Sequence, residues 1–277
     1  MKTFAGRVAA ITGASSGIGR ALALELAARG CNLALCSHSN QDGLQETAAL
    51  ARRRGVKVSH SQVDVAQLGQ VRDWARSVVR EHGCVNLLIN NAGVAHAGNV
   101  ADTDYADYEW LMGINYWGVI YGSKEFLPYM VASGEGHIVN ISSVFGLFAP
   151  PGMSAYSSSK FAVRGFTEAL RQELELSGSC VSATCVHPGG VKTGIAKAAR
   201  TSGSAVDPLK GVEKLLQASA GDAARAILAG VRRNARRVLI GADARAADGV
   251  QRLLPAAYQG LVTGGLRVAG SFRPRPR

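Results

Sequence analysis

Thr12-Gly13-Ala14-Ser15-Ser16-Gly17-Ile18-Gly19 follows the apolar run Val8-Ala9-Ala10-Ile11 and leads directly into a helical pattern ending near Ala28. The order is strand, glycine-rich turn, helix. Glycines let the backbone turn tightly and approach a pyrophosphate, which sits against the N–H groups opening the helix. Such a turn would also serve as a purely structural hinge. Its strand before and helix after are what favour a nucleotide.

From that turn onward, strand-like and helical runs alternate. Strands are predicted at 7–11, 33–36, 56–63, 87–90, 137–141, 181–187 and 237–240. Helical patterns fall at 17–28, 42–54, 68–81, 104–130, 154–176 and 222–233. Alternation of this length implies parallel βαβ units. The expected fold is α/β: a Rossmann-like doubly wound parallel sheet flanked by helices on both faces, in one domain spanning 1–242. Residues 191–218 are too long for a plain connection and read as a substrate lid. Residues 243–270 read as a C-terminal helical extension, with Val250, Leu253, Leu254, Tyr258 and Leu261 in an amphipathic pattern. The Pro/Arg-rich 271–277 reads as a disordered basic tail.

The chain has 277 residues and a formal charge of +11. The arginines cluster at 52–54, 232–237 and in the tail, and are read as solvated helix ends rather than a polyanion site. No zinc-ligand spacing or aromatic RNA-binding motif stands in the sequence, so neither a metal nor a nucleic-acid partner is expected. The five cysteines (Cys31, Cys36, Cys84, Cys180, Cys185) lack paired spacing and read as reduced thiols. Without a signal-like segment or a membrane-length apolar run, the expected location is cytoplasmic. A membrane contact, if any, would use the basic C-terminal segment.

The chemistry concentrates at Tyr156-Ser157-Ser158-Ser159-Lys160, with Ser143 and Asn115 upstream. A tyrosine and a lysine four apart share one helix face. A phenol ordinarily loses its proton near pH ~10, and an adjacent ammonium favours the phenolate. Taken singly, Tyr156 could be a core tyrosine, Ser143 a strand-end cap and Asn115 a polar kink residue. Their joint spacing behind the glycine turn is harder to explain that way.

With Asp64-Val65, Asn90-Asn91-Ala92-Gly93 and Pro188-Gly189, these motifs make residues 5–242 resemble the short-chain dehydrogenase/reductase family in its single-domain form. The resemblance implies an NAD(P)(H)-dependent oxidoreductase interconverting a ketone and a secondary alcohol. It implies that Tyr156 exchanges a proton with the substrate oxygen and that Ser143 donates a hydrogen bond to it. Lys160 would lower the tyrosine pKa and hold the nicotinamide ribose, and Asn115 would fix a relay water. The implied cofactor contacts are Gly13, Ser15, Ser16, Gly17, Ile18, Gly19, Ser37, His38, Asp64, Val65, Asn91, Ala92, Gly93, Tyr156, Lys160, Pro188, Gly189, Val191 and Thr193. Asp64 would alternatively cap the next helix, and Asn90-Asn91-Ala92-Gly93 would alternatively be a structural strand-end turn.

NAD-selective relatives carry an acidic residue where this chain has Ser37, followed by His38-Ser39-Asn40. With the repulsive carboxylate absent, NADP(H) is favoured over NAD(H). The apolar stretch between Ser143 and Tyr156 places Phe145, Phe148 and Met153 in the substrate pocket, together with His96. An apolar or bulky substrate is expected. The family also implies a homodimer or homotetramer. A catalytically silent dinucleotide sensor or scaffold of the same fold is the alternative.

Overall fold

The computed structural model describes residues 1–203 and 218–268. Strands β1 (Val8–Thr12), β2 (Asn32–Ser37), β3 (Val58–Gln62) and β4 (Leu87–Asn90) alternate with helices α1 (Gly17–Ala27), α2 (Gln41–Arg52) and α3 (Leu68–His82). The second half holds β5 (His96–Gly98), α4 (Tyr105–Met112), α5 (Gly118–Ala132), β6 (Gly136–Ile141), α6 (Ser154–Leu176) and β7 (Val181–Pro188). After these come β8 (Arg200–Ser202), α7 (Ala220–Arg232), β9 (Arg237–Ile240), α8 (Ala242–Leu253) and α9 (Tyr258–Val268).

Among the described residues the main sheet is parallel and seven-stranded, in the order β3-β2-β1-β4-β6-β7-β9. Every residue of β1 is buried, as a parallel strand covered on both faces requires. Its side chains alternate between two cores. Ala9 and Ile11 join Leu22, Leu26, Ile227 and Leu228 from α1 and α7 on one face. Val8 and Ala10 join Trp74, Phe126, Leu170 and Leu174 from α3, α5 and α6 on the other. Trp74 and Phe126 meet edge to face at 5.0 Å. The doubly wound reading of the sequence is therefore the architecture observed.

Three local features differ from the sequence reading. The helix expected at 104–130 is two helices, α4 and α5, joined by a π-helical turn at Gly113–Trp117. That turn carries Asn115, whose side chain bonds outside its own helix (below), and π turns of this kind recur at functional sites. β5 and β8 form a second, two-stranded parallel sheet, with three residues in each strand. Runs that short carry no readable alternation.

The extension after β9 also differs. It forms α8 and α9, and α8 stops before Pro255, which cannot continue a helix. Yet Val250, Leu253, Leu254 and Leu261 stay exposed, Leu253 at 82 %. Helix α8 is held instead by buried Ala244 and by Asp248, which pairs with Arg237 of β9 at 3.0 Å. Arg237 also pairs with Glu168 of α6 at 2.7 Å. Most of the expected lid (204–217) and the expected tail (271–277) lie outside the described residues.

Two buried histidines stand in the main sheet. His137 bonds through Nε2 to Thr184 Oγ1 at 2.7 Å, and His187 through Nδ1 to the Ser143 carbonyl at 2.9 Å. The other ring nitrogen of each is buried without a partner, which suits a neutral imidazole. Burial pushes His137 down to about 3 and His187 down to about 4. An unfolded histidine titrates near ~6.5, so as pH falls from there the unfolded chain takes up protons that the folded rings refuse. Stability should therefore be full above pH ~6.5, fall through the window down to about 4 and about 3, and then level off as far as these groups are concerned. Urea midpoints measured between pH 7.5 and 4 should show this decline, and it should be shallower in a His137→Asn variant. A decline of unchanged slope in that variant would assign the effect to other groups.

Candidate active site

The site opens where the strand order reverses, between the carboxyl ends of β1 and β4. The two ends are stitched together. The N–H groups of Asn91 and Ala92 both donate to Thr12 Oγ1 at 2.9 Å. In return, Asn91 Nδ2 donates to the carbonyls of Thr12 at 2.9 Å and Gly13 at 3.1 Å. So close an approach leaves no room for a side chain at Gly13, whose φ is +64° and whose Cβ would lie 2.9 Å from Ala92 Cα. Ser16 caps α1 without a side-chain bond, which leaves the first-turn N–H groups available to an anion.

A cleft of about 550 Å³ follows from this geometry. All the residues expected to meet the cofactor line it except Gly19. Gly19 instead packs its Cα against the Gly13 carbonyl and the Asn91 amide. Ser37 is buried and donates to Ser15 Oγ at 3.0 Å. Asp64 lines the cleft and accepts the Ala66 N–H at 3.0 Å in a local turn; it does not cap α3, whose N-cap position is Gln67 without a side-chain bond.

Ser143, Tyr156 and Lys160 line the same cleft. Asn115 does not; it is fully buried behind it. Its Oδ1 accepts the Val94 N–H at 2.8 Å, and its Nδ2 donates to the Val94 carbonyl at 2.9 Å and to Ser159 Oγ at 3.1 Å. Ser159 in turn donates to the Tyr156 carbonyl at 2.8 Å. The π turn thereby fixes both the segment after β4 and the first turns of α6.

Lys160 is only 3 % exposed, and its ammonium donates to the Ile141 carbonyl at 3.1 Å. Burial lowers its pKa to about 8. Burial acts on Tyr156 in the opposite direction, raising its phenol above the ordinary value, while a hydrogen bond with the Ser143 hydroxyl opposes the rise. Burial and the Ser143 hydrogen bond are the influences on the phenol here, and the Lys160 ammonium lies 5.7 Å from its ring centroid. The Ser143 carbonyl is held by His187, and its hydroxyl accepts the Phe145 N–H at 3.1 Å.

Of the residues expected in the substrate pocket, only Ser143 lines the cleft. His96 is only 1 % exposed and bonds to Ser202 Oγ at 2.9 Å, with Asp107 at 3.5 Å, so it ties β5 to β8 and does not line the cleft. Met153 is buried against Tyr156 and Ala97 in a small apolar cluster and does not line it either. Phe145 and Phe148 do not line the cleft either; they stand behind Tyr156, which does, in a chain of edge-to-face rings. Tyr156 meets Phe145 at 6.3 Å, Phe145 meets Phe148 at 5.4 Å, and Phe148 meets Tyr258 of α9 at 6.3 Å. His187, Ser159 and Tyr258 were not singled out for this site. The first two lie within runs whose pattern signals only a strand and a helix, and the third lies far along the chain.

A family model described as short chain dehydrogenase matches residues 7–203. SadH of Mycobacterium tuberculosis is 47 % identical over 270 residues, covering 96 % of this chain and 97 % of that protein. Estradiol 17-beta-dehydrogenase 11 of Macaca fascicularis is 38 % identical over 217 residues, covering 78 % of this chain and 72 % of that one. The crystal structure of a short chain dehydrogenase/reductase from Burkholderia phymatum in complex with NAD aligns with a TM-score of 0.80 at 30 % identity, covering 100 % of this chain and 99 % of that one.

Asn115→Ala removes three hydrogen bonds, one buried and two partly buried, and leaves both backbone groups of Val94 without these partners. Each stranded polar group costs about 1–3 kcal/mol. The denaturation midpoint should fall markedly while the far-ultraviolet dichroism of the folded state is retained. An unchanged midpoint would show that the π turn is not held by this side chain.

Proposed function

The chain belongs to the short-chain dehydrogenase family, and we propose that it interconverts an apolar or bulky ketone and its secondary alcohol, with Tyr156 as general acid/base and NADP(H) favoured over NAD(H). It is an oxidoreductase dependent on a nicotinamide dinucleotide. The observation that carries the finer reading is that Ser143, Tyr156 and Lys160 line one cleft with the glycine turn.

The residues present suit such a cofactor. The close approach at Gly13 and the uncapped start of α1 fit a pyrophosphate. Lys160 fits the nicotinamide ribose, and Pro188, Gly189, Val191 and Thr193 fit the carboxamide end. When bound, the dinucleotide supplies the hydride chemistry.

The chain's own groups do the rest. Ser143 donates to the substrate oxygen as charge develops there. Tyr156 gives its proton to that oxygen in reduction and takes one in oxidation. Because burial holds the phenol's pKa up and brings the ammonium's down to about 8, the phenol keeps its proton until a substrate oxygen draws it. The phenolate left behind is stabilised only while Lys160 is charged. Reduction should therefore weaken as pH rises through about 8.

The ring chain from Tyr156 to Tyr258 supports an apolar substrate. So does the relative named for estradiol, a bulky secondary alcohol. Exposed Trp117 and Phe161, beside Asn115 and on α6, support self-association. The silent-sensor alternative lacks support, because the full catalytic set is retained.

Tyr156→Phe should keep dinucleotide affinity within about twofold while lowering turnover by roughly 10²-fold or more, since only the transferable proton is lost. Equal turnover on a panel of ketones would sink the mechanism. Ser37→Asp should reverse the NADP(H) preference, by repelling a 2′-phosphate and accepting from a free ribose hydroxyl. The check is the ratio of kcat/KM for the two cofactors, and a ratio that does not move would show that the end of β2 does not set the choice.

A further inference from the structure

Asp243 stands in the first turn of α8, in the extension that follows the last strand. Its Oδ2 accepts the N–H of Gly190 at 2.6 Å. That amide belongs to the turn whose Pro188, Gly189, Val191 and Thr193 line the cleft. The carboxylate is closely fitted there. A Cβ on Gly189 or on Gly241 would run into it, so both glycines make room for this one side chain. Among the described residues the same turn is otherwise held by backbone bonds. Gly189 N–H donates to the Ile240 carbonyl at 2.9 Å, and the Ala218 N–H donates to the Gly190 carbonyl at 3.3 Å. The helix start favours the negative charge. A carboxylate accepting from a backbone N–H is also a stronger tether than a neutral acceptor.

We propose that Asp243 is a positioning residue for the nicotinamide end of the cofactor, acting through Gly190 to fix the Pro188–Thr193 turn. The role rests on the cofactor reading above. It makes the C-terminal extension part of the dinucleotide site. The adenosine end, bounded by the glycine turn, Ser37 and Asp64, lies outside its reach, so the two ends of the ligand respond differently to its loss.

The experiment uses the full chain and two probes: NADP⁺, and 2′-phospho-ADP-ribose, which is the same molecule without its nicotinamide. Dissociation constants are measured by calorimetry for the parent, Asp243→Ala, Asp243→Asn and, as a control, Asp248→Asn. Asp248 is the other polar anchor of α8. Asp243→Ala should weaken NADP⁺ on the order of tenfold, the worth of one charge-assisted hydrogen bond, and leave the fragment within about twofold. Asp243→Asn keeps an acceptor oxygen and should recover most of the NADP⁺ affinity. Asp248→Asn should lower the melting temperature without separating the two probes. If Asp243→Ala does not fold, Asp243→Ser, too short to reach Gly190, makes the same comparison.

Equal weakening of both probes in the Asp243 variant, or unchanged NADP⁺ affinity, would overturn the positioning role while leaving the cofactor reading intact. Separation of the probes by Asp248→Asn as well would reduce Asp243 to a structural anchor and overturn it too. A parent chain that binds neither NADP⁺ nor NAD⁺ would overturn the cofactor reading and this role together.

Discussion

The four hydrogen bonds between Thr12-Gly13 and Asn91-Ala92 set the distance between the ends of β1 and β4, and the rest of the site depends on that distance. At a strand end the next backbone groups leave the ladder and need new partners. The Thr12 hydroxyl and the Asn91 amide supply them reciprocally. Closer approach is barred by the backbone itself, and a wider gap would break the bonds. Gly13 is what this geometry tolerates, and α1 begins with its N-terminus at the cleft because Gly13 turns there. Fold and ligand site are thus a single steric solution.

The second constraint is dielectric. Lys160, Tyr156 and Ser143 are all buried, and burial disfavours whichever form of a group carries charge. For the amine this lowers the pKa, and for the phenol it raises it. The two groups therefore exchange their usual closeness for a clear order, in which the phenol holds its proton more firmly than the ammonium does. A buried ammonium is tolerated here because the Ile141 carbonyl accepts from it, while Ser142 and Ser159 lock the helix backbone on either side. Asn115 holds that helix from behind without entering the cleft. The price is local stability at a π turn; the gain is a preset arrangement that needs no reordering when a ligand arrives.

Legibility followed the strength of each local signal. β4, β9 and α6 stand within the bounds read from the sequence, the two strands as short apolar runs and the helix by its long period. The lining of the cleft was legible for a related reason, since its backbone-lined parts demand glycine and its residues follow strand ends. The substrate side was not. His96 looked like a pocket residue by its distance from Asn91-Ala92-Gly93, but that reading ignored Asp107 and Ser202, which arrive from distant parts of the chain and bury it. The spacing of Tyr156 and Lys160 likewise carries no sign that burial raises the phenol's pKa and lowers the ammonium's. Spacing shows that two groups are neighbours; it does not show how much water each has lost.

The C-terminal extension shows how an apolar pattern can mislead about what anchors a helix. The spacing of Leu253, Leu254 and Leu261 suits packing against the domain or a partner subunit, and within the single chain these side chains stay exposed. Helix α8 is secured by two carboxylates on its inner side, Asp248 on Arg237 and Asp243 on the Gly190 amide. Both contacts are directional, and both join the helix to segments that run from the sheet to the cleft. An apolar contact would have tolerated sliding by an ångström with little loss, whereas hydrogen bonds to one guanidinium and one backbone amide do not. The match to the family model ends at residue 203, so these carboxylates lie beyond the part of the chain that the family pattern describes. Variation in such an extension can reach the Pro188–Thr193 edge of the cleft without altering any residue of the family's motifs.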